Sequence, residues 1–197
     1  MKRTLAPFLL LATTVCAGCA AGSAAPASAP STAPIGELSR YLPLLDDSVL
    51  SYETYIEDTN ERGIAVFEID RPRPELAELK LAGQVRKRYY FEPGGVRSSH
   101  GGYLLKLPLS LNAEWTGDDG KVKLTQVDLS VDTPAGKFAG CLQTIENAQL
   151  GAATRKTTTV FCPGVGITVL EIDAAQEGTS VLQRLTLKAF GPRFKAP

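Results

Sequence analysis

Two groups of residues in this sequence have the types and spacing that chemistry requires. Cys16 and Cys19, in the stretch TTVCAGCAAG, form a C-x-x-C, the spacing of redox-active dithiols and of half a zinc site. Ser98, Ser99 and His100, in RSSHGG, combine nucleophiles with a base, as hydrolases do. Either group acts only if a surrounding element holds it in place, so the neighbouring sequence decides its interpretation.

The surroundings of Cys16 and Cys19 favour an export signal over a folded redox or metal site. Lys2 and Arg3 precede the apolar run TLAPFLLLATTV, which has the length of the hydrophobic region of a secretory signal and is too short to span a membrane. A redox dithiol follows a strand and opens a helix, and a zinc site needs further ligands, whereas the chain has a single histidine. We therefore predict no metal and no cofactor.

The end of this apolar run resembles a bacterial lipobox. Ala17 and Gly18 are the small residues that precede the modified cysteine in such motifs, and Cys16 stands where leucine is usual. The resemblance implies that residues 1–18 are a lipoprotein signal peptide and that Cys19 becomes the lipidated first residue. The alternative is an ordinary secretory signal cleaved nearby, which would leave a soluble periplasmic or secreted protein.

The segment after the signal is predicted to be a tether. From Ala20 to Pro34 it contains only Ala, Gly, Ser, Thr and Pro, which cannot bury a core. We interpret 19–34 as the lipidated cysteine and a disordered spacer that spans roughly 20 Å. Residues 35–197 then make one domain of ordinary size. Since Ala20 is not Asp, we expect sorting to the outer membrane, with the domain facing the periplasm.

Charge and cysteine content restrict the classes of function. The chain has 21 basic and 21 acidic residues, and loss of Lys2 and Arg3 with the signal leaves a net charge of −2, which does not favour nucleic acid binding. The domain keeps Cys141 and Cys162, for which an oxidising periplasm predicts one disulfide. Such a bond would contribute about 3 kcal/mol to stability. The alternative is two separately buried thiols.

The pattern of apolar residues after Ile35 predicts an all-β domain. Apolar side chains recur mostly with a period of two, and turn signals are frequent, which indicates a mainly antiparallel sheet. The clearest strand is LKLAGQVRKRYYFE, from Leu79 to Glu92, and GDDGK predicts a hairpin turn at Asp119. GELSRYLPLL and PELAEL predict only short peripheral helices. We expect about eight or nine strands in a curved sheet, a partial barrel or a sandwich.

Two stretches of the domain carry a recognisable combination of turns. DTPAGKFAGCLQTIE, which begins at Asp132, contains Pro-Ala-Gly, and TTTVFCPGVGITVLEI, which begins at Thr157, contains Cys-Pro-Gly-Val-Gly. Together they resemble a recurrent pattern in uncharacterised bacterial periplasmic lipoproteins. The resemblance implies an all-β fold loosely like a lipoprotein-carrier half-barrel, and it brings no catalytic residues. If the strands that carry Cys141 and Cys162 pair, a disulfide would join them across the sheet.

The remaining chemical candidates have simpler interpretations. Adjacent side chains of a strand point to opposite faces, so Ser99 and His100 would diverge, and no G-x-S-x-G elbow accompanies them. Acidic pairs such as Asp118-Asp119 lie at predicted turns, where aspartate bonds to the backbone. The basic run Arg86 to Arg88 fits a solvated strand face. Four aromatic residues either pack in the core or line a ligand groove: Tyr89, Tyr90, Phe91 and Tyr103.

The sequence therefore predicts a non-enzymatic lipoprotein anchored in the outer membrane. We expect its β domain to bind a lipid or another hydrophobic ligand, or to dock an envelope protein. One alternative is a small periplasmic hydrolase that uses His100 with a serine or carboxylate brought close by folding. The other is a secreted soluble β protein, if the lipobox is not used.

We expect Cys19→Ala to abolish lipidation, because Cys19 is the residue that would carry the lipid. Mass spectrometry of the mature N-terminus should find acyl chains on Cys19 in the wild-type protein and none in the variant, which should also leave the membrane fraction. Cys16→Ala is the matched control and should keep the anchor. An unmodified N-terminal peptide from the wild-type protein would contradict the predicted anchor.

Overall fold

A computed structural model describes residues 36–194 of the chain. The predicted signal at 1–18 and tether at 19–34, with Cys19, lie outside these residues. The described elements are one helix, α1 (Gly36–Tyr41), and twelve strands: β1 (Ser48–Ile56), β2 (Glu61–Arg73), β3 (Leu76–Leu81), β4 (Gln84–Glu92), β5 (Gly95–Ser98), β6 (Tyr103–Lys106), β7 (Glu114–Thr116), β8 (Lys121–Thr133), β9 (Gly136–Leu150), β10 (Ala153–Cys162), β11 (Gly166–Gln176) and β12 (Thr179–Pro192).

The twelve strands form one antiparallel sheet that curls into a nearly closed barrel. Their order across the sheet is β6-β5-β4-β3-β2-β1-β12-β11-β10-β9-β8-β7, so that β1 pairs with β12 and the consecutive strands β6 and β7 become the two edges. Curling buries the apolar face that alternation creates on every strand. The all-β prediction is confirmed, and of the three predicted arrangements the partial barrel is the one observed. The expected eight or nine strands were too few.

One strand was missed because LKLAGQVRKRYYFE holds two strands, β3 and β4. Ala82 and Gly83 reverse the chain between them with φ angles of 50° and 74°, the left-handed conformation that tight hairpin turns require. Ala-Gly is a weaker turn signal than Asn-Gly, which hid the reversal. The predicted helix at PELAEL is also wrong, since Leu76 and Ala77 are buried in β3 between its neighbours β2 and β4. The short helix predicted in GELSRYLPLL is confirmed as α1.

The segment of α1 covers one end of the barrel. Leu38 of the helix, together with Leu42 and Leu44 after it, is buried in the main hydrophobic core. The backbone N–H of Gly164, in the turn between β10 and β11, donates to the carbonyl of Arg40 at 2.7 Å. The helical segment is therefore attached to the β10–β11 turn and closes the barrel at the Cys162 end of β10.

Arg71 of β2 attaches the chain after α1 to the barrel. Its guanidinium donates to the carbonyl of Pro43 at 3.2 Å and lies 4.4 Å from the centre of the Phe91 ring, while its backbone N–H donates to Asp46 Oδ1 at 2.7 Å. Burial lowers the pKa of the Arg71 guanidinium, although the nearby Asp46 and Glu75 carboxylates oppose that effect. These contacts explain how a buried arginine is tolerated at the covered end of the barrel.

Cys141 of β9 and Cys162 of β10 form a disulfide, with their Cα atoms 4.2 Å apart. Both cysteines are fully buried in a small second core with Val160. The two strands pair in register up to Leu142 and Phe161, which brings the cysteines next to each other at the end of this ladder. The bond therefore connects strands at the same end of the barrel that α1 covers.

We expect the double change Cys141→Ala and Cys162→Ala to lower the free energy of unfolding by about 3 kcal/mol, because the unfolded chain regains the freedom that the closed loop removes. Urea denaturation of the wild-type and variant proteins measures the difference. Wild-type protein unfolded with a reductant present is the control and should match the variant. Two free thiols in unreduced, denatured wild-type protein would contradict the bond.

Candidate functional site

A cavity of about 330 Å³ opens at the end of the barrel away from α1. Its lining includes Arg155 and Thr157, near the start of β10, whereas α1 contacts the chain just after Cys162 at the end of that strand. Since a water molecule occupies roughly 30 Å³, the space corresponds to about ten non-hydrogen atoms. The barrel is therefore covered by α1 at one end and opens into this cavity at the other.

The lining of the cavity is apolar on one side and rich in hydroxyl groups on the other. Leu170 and Ile172 of β11 lie directly opposite Thr159 and Thr157 of β10 in the strand register. Thr159 in turn lies opposite Thr144 of β9, which also lines the cavity. Because side chains alternate between the two faces of a strand, every second residue of these strands reaches the interior. The cavity thus has the mixed apolar and polar lining that small-molecule sites have.

Asp118, in the turn between β7 and β8, connects the two edges of the sheet beside the mouth of the cavity. The Ser98 hydroxyl and the Gly102 backbone N–H, the latter at 3.2 Å, donate to its Oδ1 atom. Lys87 Nζ of β4 donates to its Oδ2 atom at 3.0 Å. These donors lie on the β4–β6 side of the sheet, whereas Asp118 belongs to the β7–β8 side. The carboxylate therefore bridges the seam between edge strands that share no ladder.

The environment of Asp118 stabilises its charged form. Burial raises the pKa of the carboxyl. Hydrogen bonds from Ser98 and Lys87, the positive charge of Lys87 and the amide of Gly102 lower this pKa by a larger amount. The net result is a pKa below the ordinary value for aspartate. Asp118 is therefore an anion at neutral pH, and its position depends on keeping that charge.

Folding brings Ser98, His100 and Asp118 together, but not as a nucleophile, base and orienting acid. The Ser98 hydroxyl donates to Asp118 and accepts from the backbone N–H of His100 at 3.0 Å, not from the imidazole. His100 Nδ1 lies 3.6 Å from Asp118 Oδ2, and Ser98 is only 2% exposed. In a serine hydrolase the imidazole takes the serine proton. Here the serine proton is directed to the aspartate, which gives the cluster the geometry of a structural clasp.

The charged groups around the mouth are paired with one another. Arg155 forms an ion pair with Asp119, and Glu146 Oε1 accepts hydrogen bonds from the backbone N–H groups of Asp119 and Gly120, each at 2.9 Å. Lys87 is bound to Asp118 as described above. Both cations that line the cavity are therefore engaged by carboxylates of the mouth.

The other residues singled out from the sequence have structural roles. Arg88 pairs with Glu78 on the neighbouring strand, as expected for a solvated face. Of the four aromatic candidates, Tyr89 and Tyr103 line the cavity, Phe91 is buried in the core, and Tyr90 stacks under Arg97 on the other face of β4.

Residues 36–194 contain no cluster of three or more His, Cys, Asp or Glu side chains that could hold a metal ion. In the same part of the chain no helix is long and apolar enough to cross a membrane.

Three functional features were missed from the sequence. Asp118 was interpreted only as a turn residue, and its long-range partners follow from closure of the sheet. Thr144 and Thr159 were not considered, although period-two spacing places Thr157, Thr159 and Phe161 on one face of β10. That spacing was the available signal for a polar strip inside the barrel.

The sequence matches no protein-family profile and no curated protein. Among solved structures, it is similar to a provisionally assigned lipoprotein from Parabacteroides distasonis, with 12% identity and a TM-score of 0.48. It is also similar to a provisionally assigned exported protein with a YmcC-like fold from Bacteroides fragilis, with 13% identity and a TM-score of 0.49. Each match covers 77% of this chain and 98% of the other. These likenesses are too distant to transfer a function.

We expect Asp118→Asn to lower the free energy of unfolding by about 2 kcal/mol at pH 7, because a neutral amide replaces a partly buried anion that accepts charge-assisted hydrogen bonds. Chemical denaturation measures this. Asp132→Asn is the matched control: its ion pair with Lys137 is exposed, so we expect a loss below about 0.5 kcal/mol. Equal losses in the two variants would contradict the role of Asp118.

The same contacts predict how stability depends on pH. The pKa of Asp118 in the folded protein lies below its unfolded value of about 3.9. Between these two pKa values the folded state therefore binds fewer protons than the unfolded state. Its contribution is therefore complete above pH 4 to 5 (roughly) and disappears as the pH falls through the folded pKa. The difference in stability between wild type and Asp118→Asn should shrink on acidification below about pH 4.

Proposed function

We propose that this protein is an exported, lipid-anchored component of the bacterial outer membrane whose periplasmic barrel binds a small apolar ligand without catalysing a reaction. The observation that carries the proposal is the cavity at the open end of the barrel. Soluble β-barrels of similar construction hold ligands in their interior, because inward side chains do not fill it completely.

Several properties of the cavity support ligand binding. Its volume of about 330 Å³ falls at the lower end of the range of small-molecule sites. Leu170, Ile172 and Val122 contribute apolar surface to it, which a hydrophobic ligand would remove from water. The opposite end is covered by α1, so that a ligand would enter beside Asp118 and Asp119.

The arrangement at the mouth supports a role without catalysis. The Ser98 hydroxyl donates to Asp118 and accepts from the backbone N–H of His100, so the imidazole is not placed to activate it as a nucleophile. The proposed anchor rests on the lipobox-like residues that end at Cys19, and the proposed outer-membrane destination rests on Ala20. The Cys141–Cys162 bond fits an oxidising compartment such as the periplasm.

We expect Thr157→Trp to block the cavity, because Thr157 lines it and an indole would fill much of the space. Export behind a cleavable signal without a lipidation cysteine yields residues 20–197 in soluble form for the assay. Naphthalene, with ten carbon atoms, is a fluorescent probe of suitable size. The affinity for naphthalene should fall about tenfold or more in Thr157→Trp, because the indole would occupy its space. This corresponds to a loss of about 1.4 kcal/mol or more in binding free energy.

Thr158→Trp is the matched control, since Thr158 is the adjacent residue of the same type and alternation directs it to the other face of β10. It should bind naphthalene as the wild-type protein does. If the wild-type protein fails to bind naphthalene, or if both variants bind it equally, the proposed cavity function is wrong.

A further inference from the structure

Three buried hydroxyl groups in the cavity have no partner among the residues that the structure describes. They belong to Tyr89 on β4, Thr144 on β9 and Thr159 on β10, which are 6%, 3% and 5% exposed. The other buried hydroxyl groups of threonine and tyrosine do find partners: Tyr52 donates to the carbonyl of Ile167 at 2.9 Å, and Thr133 to that of Gly136 at 3.2 Å. The three unpaired groups are therefore a local property of the cavity.

These hydroxyl groups are accessible from the cavity. Within residues 36–194, the fully enclosed side-chain nitrogen and oxygen atoms that lack a partner are Arg71 Nε and Arg193 Nε. The hydroxyl oxygens of Tyr89, Thr144 and Thr159 are not in that class, so each keeps some surface that a small molecule can touch. They line the same space, and Thr144 and Thr159 are direct cross-strand neighbours.

Moving a hydroxyl group out of water without a new hydrogen bond costs free energy. A hydrogen bond to an oxygen atom of a ligand would offset that cost. A purely hydrocarbon ligand would leave all three groups unpaired. The side of the cavity formed by Leu170 and Ile172, by contrast, offers nothing to a polar group. The lining therefore matches a molecule with an apolar body and an oxygen-bearing end.

The charges at the mouth argue against an ionised ligand. Lys87 and Arg155 are both held by carboxylates, and with Glu146 the three acidic residues of the lining outnumber the two basic ones. Burial and the nearby charge of Asp118 raise the pKa of Tyr89, which keeps its hydroxyl protonated and able to donate. An anion would find no unpaired cation in this lining, and Glu146, the lining carboxylate without a cationic partner, already accepts two backbone hydrogen bonds at Oε1.

On the basis of the proposed function, we infer that the cavity binds an uncharged molecule of about ten non-hydrogen atoms that carries an alcohol, ester or amide group. Tyr89, Thr144 and Thr159 bind the oxygen of that group, and the apolar side chains of β11 contact its hydrocarbon body.

Isosteric removal of the hydroxyl groups tests this inference. Tyr89→Phe, Thr144→Val and Thr159→Val each delete one hydroxyl and keep the volume. Octan-1-ol, sodium octanoate and octane are titrated against bound naphthalene in residues 20–197. We expect each change to weaken octan-1-ol binding by about threefold to tenfold, the value of one hydrogen bond, and to leave octane binding unchanged. Octanoate should bind at least about tenfold more weakly than octan-1-ol.

Tyr90→Phe and Thr158→Val are the matched controls, because they delete the same groups from the adjacent positions on the other face of β4 and β10. Both should leave all affinities unchanged. Thermal unfolding without ligand should show that Thr144→Val and Thr159→Val are at least as stable as the wild-type protein, since an unpaired buried hydroxyl is removed.

The outcomes separate this inference from the proposed function. If naphthalene does not bind the wild-type protein, the cavity function and the inference both fail. If naphthalene binds but the three variants retain wild-type affinity for octan-1-ol, only the inference is overturned, and water satisfies the hydroxyl groups. Tighter binding of octanoate than of octan-1-ol would also overturn it, in favour of an anionic ligand.

Discussion

The barrel depends on the bridge that Asp118 makes across the seam of the sheet. β6 and β7 are its two edges, and an unpaired edge exposes backbone groups that can pair with another chain. Donors from Lys87, Ser98 and Gly102 hold the Asp118 carboxylate, and Trp115 Nε1 adds a hydrogen bond to the carbonyl of Tyr103 at 2.9 Å. Hydrogen bonds to side chains therefore close the sheet between β6 and β7, whereas backbone ladders join all the remaining neighbouring strands.

The closed sheet has two different ends, and this difference creates the candidate site. At one end, α1 and the apolar residues after it pack against the core and cover the interior, with Arg71 and the β10–β11 turn holding them. At the other end no such segment is present among the described residues, and the inward positions of β10 carry Thr157 and Thr159 in place of larger apolar side chains. The interior is consequently packed at the α1 end and open at the end beside Asp118.

Much of the fold followed from the sequence, while its details did not. Alternation predicted the all-β class, and the turns at Asp119 and in the Pro-Ala-Gly and Cys-Pro-Gly-Val-Gly stretches lie where the sequence placed them. The hairpin at Ala82-Gly83 was missed because alternation continues through a tight turn without a break in composition. PELAEL was assigned to a helix because local preference favours one, whereas pairing with β2 and β4 outweighs that preference in the folded chain.

By itself the sequence determined the strand-forming pattern and most turns, because these depend on residues close together in the chain. Its cysteine content also predicted the bond between Cys141 and Cys162, which the structure contains. Only the tertiary structure decided that the sheet closes, that Asp118 faces Lys87 and Ser98, and that Tyr89 shares a cavity with Thr144 and Thr159. The physical reason is that these contacts join residues from distant strands, whose proximity is set by the curvature and register of the whole sheet.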